Sequence, residues 1–151
     1  MSKQIDVTLT EQNHGIPPNA YNPHAWIKGD VVIGEGVWVG PFTLLDGAHA
    51  KLTIGKGCNI ATGAQLLTHS TVRRCISERE IDLIDTAETI IGDHCFVGSN
   101  AVVLMGAKIG DHSVIGAGCV VPEGITVPPY SLVVGVPGKV VGSSKKFLQN
   151  I

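Results

Sequence analysis

The apolar residues of this chain follow neither the 3.6-residue period of a helix nor the 2-residue period of a half-buried strand. Their period is six. Aliphatic residues stand at Ile33, Val39 and Leu45, then, after three inserted residues, at Ile54, Ile60 and Leu66. A second run reads Ile91, Val97, Val103, Ile109, Ile115, Val121, Val127 and Val133. All fourteen are Ile, Leu or Val, in a chain where those residues number 43 of 151. The residue that follows is Gly in half of the hexads, at 34, 40, 55, 92, 98, 110 and 116. The fifth position is usually small, as at Thr43, Cys58, Ala64, Ser70, Cys95, Ala101, Ala107, Ser113, Cys119 and Ser131. A unit that turns one aliphatic side chain inward, bends at a glycine and then presents a small inward residue describes one flat side of a solenoid. Parallel strands then stack about 4.8 Å apart, and each unit buries its face only against its neighbours.

This pattern resembles the hexapeptide-repeat acyltransferases. The resemblance implies an all-β fold, the left-handed parallel β-helix, in which three hexads make one triangular coil. The left hand is an exception to the right-handed crossover rule and comes from the resemblance, not from the spacing. One domain is expected: a lead-in and cap over 1–26, the β-helix over 27–138 and a short C-terminal tail over 139–151. Ile16-Pro17-Pro18-Asn19-Ala20 reads as an extended segment that caps the first coil and hides its edge.

Between Leu66 and Ile91 the register breaks. Residues 73–88 hold 8 of the chain's 24 charged residues, so this stretch cannot continue the core and predicts an extruded loop at about 72–88. Loops carried on a rigid scaffold are where function concentrates. His69 stands just before it, in LLTHSTVRR, at the fourth position of its hexad and so at a corner outside the core. The sugar and antibiotic acetyltransferases of the family are similar here. In them a His follows a Leu/Thr-rich strand, a loop with Arg comes next, and then a phrase like Ile91-Gly92-Asp93-His94-Cys95-Phe96-Val97-Gly98. The resemblance implies that His69 is the general base, with Arg73, Arg74, Glu80 and Phe96 on the acceptor side. The chemistry agrees: a hydroxyl attacks a thioester poorly unless its proton leaves as the C–O bond forms, and an imidazole suits that task near neutral pH. The group that orients the ring stays open between a backbone carbonyl and a loop carboxylate such as Glu80.

The family's acyl donor is acetyl-CoA, held in a groove between subunits of a homotrimer. Its expected site is Gly98-Ser99 and Ala117-Gly118, where small residues let a pantetheine arm approach the backbone, with Lys139 toward the phosphates, helped by Lys145 and Lys146. Lys139 closes Gly135-Val136-Pro137-Gly138-Lys139, which resembles the family's closing phrase with Gly138 for the usual Ala. Pro122-Glu123 stands where many members carry Thr-Lys, which removes one cation from that site. Galactoside- and maltose-type members carry an Asn-bearing stretch where this chain reads Val39 to Asp46, and a Trp where it has Phe96, so a different acceptor is expected. The closer likeness is to short acetyltransferases of surface-polysaccharide pathways.

Composition narrows the alternatives. A formal net charge of −2 without a basic stripe argues against nucleic acid, and no apolar run is long enough to insert into a membrane. The N-terminus lacks a signal-peptide core, and the four cysteines form no CxxC, so they read as reduced thiols in a cytoplasmic protein. His94 and His112, both in Gly-Asp-His, should stack one coil apart as outer turn residues; His14, His24 and His49 carry no assigned role. No metal is expected, because the related carbonic-anhydrase type needs H-x-x-x-x-H and no pair here has that spacing. The leading expectation is an acetyl-CoA-dependent O-acetyltransferase of a sugar hydroxyl. The alternatives are N-acetylation of a nucleotide-linked amino sugar, and a non-catalytic β-helix assembly subunit.

Overall fold

The computed structural model describes residues 16–150, so His14 lies outside the described residues. The chain forms β1 (Trp26–Ile33), β2 (Trp38–Val39), β3 (Leu44–Ile54), β4 (Asn59–Ile60), β5 (Gln65–Leu66) and β6 (His69–Ser70). After α1 (Val72–Ile76) come β7 (Asp85–Thr86), β8 (Thr89–Ile91), β9 (Phe96–Val97), β10 (Val102–Val103), β11 (Lys108–Ile109), β12 (Val114–Ile115), β13 (Val120–Val121) and β14 (Thr126–Val127). β15 (Ser131–Val134) and β16 (Lys139–Ser143) complete the strands.

The strands stack in parallel into three faces of a left-handed β-helix. Face one aligns Ile33, Ile54, Ile91, Ile109 and Val127 from β1, β3, β8, β11 and β14. Face two aligns Val39, Ile60, Val97, Ile115 and Val133 from β2, β4, β9, β12 and β15. Face three aligns Leu45, Leu66, Val103 and Val121 from β3, β5, β10 and β13. Thirteen of the fourteen hexad aliphatics are buried, and Ile33, in the first coil, is partly buried against them. Of the small fifth-position residues Ser70 departs from the expected inward place, because the chain leaves the solenoid there and Ser70 pairs with Asp85 instead.

The corners explain the remaining pattern. The fourth hexad residue adopts a left-handed backbone at Gly36, Phe42, Gly57, Gly63, His94, Asn100, Gly106, His112, Gly118, Gly124 and Tyr130. That conformation costs an L side chain about 1–2 kcal/mol, which accounts for the six glycines, and Asn and His tolerate it better than most. Ala48, His69 and Val136 occupy the same place without it. They stand where the register is interrupted or ends. The glycine after the aliphatic residue has a separate cause, the close passage of the next coil: a Cβ on Gly98 would lie 2.5 Å from the Ala117 nitrogen.

Inside the corner between faces one and two runs a column of small residues. The Cys58 thiol donates to the Gly92 carbonyl at 3.0 Å, Cys95 to Gly110 at 3.2 Å, and the Ser113 hydroxyl to Pro128 at 3.1 Å. Cys58, Cys95 and Cys119 are buried and free. Outside the same corner the rings of His94 and His112 stack as expected, at 5.2 Å, and Tyr130 continues the stack at 4.7 Å.

Both ends are closed. Asn19 bridges to the Asn22 and Ala25 carbonyls, and the Asn22 amide reaches the Val39 carbonyl at 3.2 Å, tying the lead-in to the first coil. The C-terminal tail is more than a loose end. β16 pairs antiparallel with β15, and a 3-10 turn over Ser144–Leu148 follows, fastened by the Ser144 hydroxyl to the His112 carbonyl at 2.6 Å.

Candidate active site

The break after Leu66 opens at the corner between faces three and one. The excursion is closed at its base by a two-residue antiparallel neck, His69 opposite Thr86 and Ser70 opposite Asp85. The loop beyond it contains the single turn α1, none of whose residues is buried. The neck is anchored to the solenoid on both sides. The buried Thr68 hydroxyl donates to the Asp46 carbonyl at 2.8 Å, the Thr89 hydroxyl donates to the Leu67 carbonyl at 2.8 Å, and the Gly106 N–H donates to the Thr89 hydroxyl at 3.0 Å.

These anchors hold His69 above Asp46. The Asp46 side chain is only 2% exposed. One of its oxygens accepts the Ala48 N–H at 3.0 Å; the other lies 3.3 Å from the Lys28 ammonium and 3.6 Å from Nδ1 of His69. Nδ1 is buried and has no hydrogen-bond partner, while the His69 side chain as a whole is 27% exposed, so that exposure belongs to the rest of the ring. His49 lies against it, with ring centroids 4.4 Å apart. The carboxylate nearest the ring is therefore neither a loop group nor Glu80, which is exposed. Asp46 does leave a trace in the sequence: among the fourteen residues that follow the aliphatic hexad positions, it alone is charged.

The other site expectations divide between corners. Arg73 forms a bidentate pair with Asp85 and Arg74 pairs with Asp82 at 2.6 Å, so both guanidiniums are engaged within the loop. The hydrogen bond from Arg73 holds the Asp85 carboxyl below its usual range. Gly98, Ser99, Ala117 and Gly118 stack at the corner between faces two and three, joined by the Gly118 N–H to the Ser99 carbonyl at 2.9 Å. Ser99, Ala117 and Gly118 are exposed, and a Cβ on Gly118 would meet nothing within 4 Å, so this corner is an open track of backbone and small side chains. Lys139 emerges at the same corner, where Gly138 bonds to the Val120 carbonyl at 2.7 Å. Lys145, by contrast, lies over the Tyr130 ring at the corner between faces one and two, so β16 separates Lys145 and Lys146 from Lys139 across face two.

Face three joins the His69 corner to the Gly98–Gly118 corner. Its outer surface carries Gln65, Leu67, Val102, Leu104 and Val120. Phe96 is not with them. It is 43% exposed on face two, opposite the corner of His69, and lines a cavity of about 420 Å³ with His94, His112, Tyr130 and Phe147. A second cavity, about 340 Å³, lies within the loop between Thr71, Arg74, Cys75, Glu78 and Arg79. Neither contains His69. Among the described residues no three His, Cys, Asp or Glu side chains converge in a way that could hold a metal. None of the described helices is long and apolar enough to cross a membrane.

Comparison with known proteins settles the family. Residues 88–122 match the hexapeptide repeat of succinyl-transferase. A hexapeptide-repeat-containing acetyltransferase of Vibrio cholerae O1 biovar eltor, solved in complex with acetyl coenzyme A, is 30% identical, with a TM-score of 0.69 over 84% of this chain and 68% of that one. The chain belongs to the hexapeptide-repeat acetyltransferases. A maltose O-acetyltransferase of Clostridium difficile is 26% identical, with a TM-score of 0.66 over 75% of this chain and 58% of its own. The carnitine operon protein CaiE of Proteus sp. (strain LE138) is 31% identical over 99 residues, which are 62% of this hexapeptide-repeat chain. The chain spans about half the length of that relative, 49%.

Proposed function

We propose that the protein transfers an acetyl group from acetyl-CoA to a sugar hydroxyl, with His69 as the general base. The observation that carries this reading is the placement of the His69 ring: it stands at the mouth of the extruded loop, one ring nitrogen turned toward a buried carboxylate and the rest of the ring partly open to solvent. Such a ring can take a proton at its outer nitrogen. The acceptor hydroxyl gives up its proton to His69 as its oxygen attacks the thioester carbonyl. The C–S bond then breaks, and the imidazolium returns the proton to the departing sulfur. The products are a sugar ester and the free thiol, and the enzyme ends as it began. A base of this kind contributes about 10² to 10⁴ in rate.

In this reading acetyl-CoA is a substrate. Its pantetheine arm follows the open track of Gly98, Ser99, Ala117 and Gly118, with Lys139 toward its phosphates, and the thioester approaches His69 along face three. Arg73, Arg74 and Glu80 lie on the acceptor side. Phe96, on the opposite face, meets the acceptor in the groove between two copies of a homotrimer. A hydroxyl acceptor is favoured over an amine because an amine, once neutral, attacks a thioester without a base and would leave the oriented imidazole without a task.

Acetyl-CoA titrated calorimetrically into the wild-type protein is expected to bind at one site per chain. Thiol release with a panel of sugar acceptors is expected to fall at least 10²-fold in His69→Gln. Release that is undiminished in that variant would refute His69 as the base, and no heat at millimolar acetyl-CoA would refute the reading as a whole.

A further inference from the structure

The cluster beneath His69 does more than pack. We propose that Asp46 is the positioning residue for His69, and that Lys28 sets the charge the pair presents. The inference rests on the reading of His69 as a base, but it is tested by a signal that does not depend on turnover. Nδ1 of His69 is sealed from solvent without a partner, and its polar neighbour is an Asp46 oxygen at 3.6 Å. A buried donor left unpaired is costly, and catalytic hydrogen bonds often shorten only when substrate binds. Movement of the ring by about 0.7 Å toward the fixed carboxylate gives a charge-assisted N–H···O bond. It holds the proton on Nδ1 and leaves Nε2 as the basic nitrogen.

Asp46 cannot swing away to meet the ring or avoid it. Its first oxygen is tied to the Ala48 N–H, and its own carbonyl is tied to Thr68, the residue beside His69. The three-residue insertion after Leu45 widens the coil at this point, where β3 replaces the usual tight corner. His49, from the same insertion, closes one side of the ring at 4.4 Å. The charges around the pair are few: Lys28 from β1, Asp46 and His49 from β3, and Asp85 from β7 across the neck, which Arg73 holds.

Lys28 approaches the same oxygen that faces the ring, 3.3 Å away. An anion beside an imidazole favours its protonated form, and a cation on that anion offsets the effect. Lys28 thus balances the charge that Asp46 brings to the ring. Removing the two charges should move the activity in opposite directions along the pH axis, which a purely structural role for either residue would not do.

The experiment uses the full chain. In long-range ¹H–¹⁵N spectra of its histidines, the neutral His69 ring is expected with the proton on Nδ1. Asp46→Asn should shift the ring toward the other tautomer, lower kcat about 10- to 100-fold and change KM by less than about 3-fold. Its acid limb in kcat/KM should move to lower pH. Lys28→Met should move that limb to higher pH. Asn keeps an oxygen for the Ala48 N–H, and should that variant nevertheless misfold, Lys28→Met alone decides the direction of the limb. An unchanged tautomer in folded Asp46→Asn, or limbs that move the same way in both variants, would overturn the proposal. Undiminished activity in His69→Gln, by contrast, would leave the tautomer result intact and refute the catalytic reading instead.

Discussion

Among single residues, the inward cysteines show how the repeat governs chemistry as well as packing. Cys119 is fully buried, and burial pushes its thiol above the ordinary value of 9.0. A folded-state pKa raised above the unfolded one stabilises the fold fully below pH 9.0, and that contribution is lost as pH rises above it, because the unfolded chain can then release a proton the folded chain retains. In the same column the hexad position holds Ala64 and Ala101, so Cys119→Ala fits the space. The wild type is therefore expected to lose stability to urea faster than Cys119→Ala between pH 8 and pH 10, whatever the variant's offset at neutral pH. Parallel slopes for the two proteins in urea melts across that range would show that the thiol does not titrate with unfolding.

At the scale of the element, the extruded loop is an addition to the solenoid and contributes little to its stability. No residue of α1 is buried, and the pairs Arg73–Asp85 and Arg74–Asp82 lie at the surface, where solvent screens such pairs and they contribute little. Replacing residues 71–84 by Asn-Gly would join Ser70 to Asp85 through a two-residue turn suited to the antiparallel neck. The melting temperature should stay within about 4 °C of the wild type. Acetyl transfer should fall, because Arg73 and Arg74 leave with the loop. A collapse of the melting transition would mean that the loop holds the coils together. The loop was legible in the sequence because a run of charges cannot enter an aliphatic core. Its neck was not: strands of two residues carry no period, and only the tertiary anchors at Thr68 and Thr89 reveal that His69 begins one. Asp46 was legible in hindsight, as a charge at a place otherwise given to glycine, proline or apolar residues. What the sequence could not supply is its alignment with His69, which depends on the insertion that brings two different coils into line.

At the scale of the molecule, the hexad pattern predicted the three faces, their register and their buried residues, because a period maintained over so many units leaves few alternatives. It did not predict how the outside is covered, since outward positions are free to vary. That outside is unusually apolar. On face two Trp38 is 52% and Phe96 43% exposed, Phe42 stands 71% exposed at the adjoining corner, and Phe147 is 57% exposed over the C-terminal turn. Exposed aromatic side chains grouped around one face mark an interaction face. It also lies opposite the corner of His69, so that one chain offers the imidazole and another could offer Phe96 only in an assembly. Sedimentation velocity is expected to give a mass roughly three times the 15.8 kDa of the chain, with a melting temperature that rises with protein concentration, as mass action requires of a folded oligomer. Charge placed at the centre of the face, in Phe96→Lys, should weaken the assembly and the acetyl transfer together. A 15.8 kDa particle at every concentration would separate these claims. His69, Asp46 and the Gly98–Gly118 track would still flank face three of a single chain, whereas Phe96 would have no route to the acceptor and would drop out of the site.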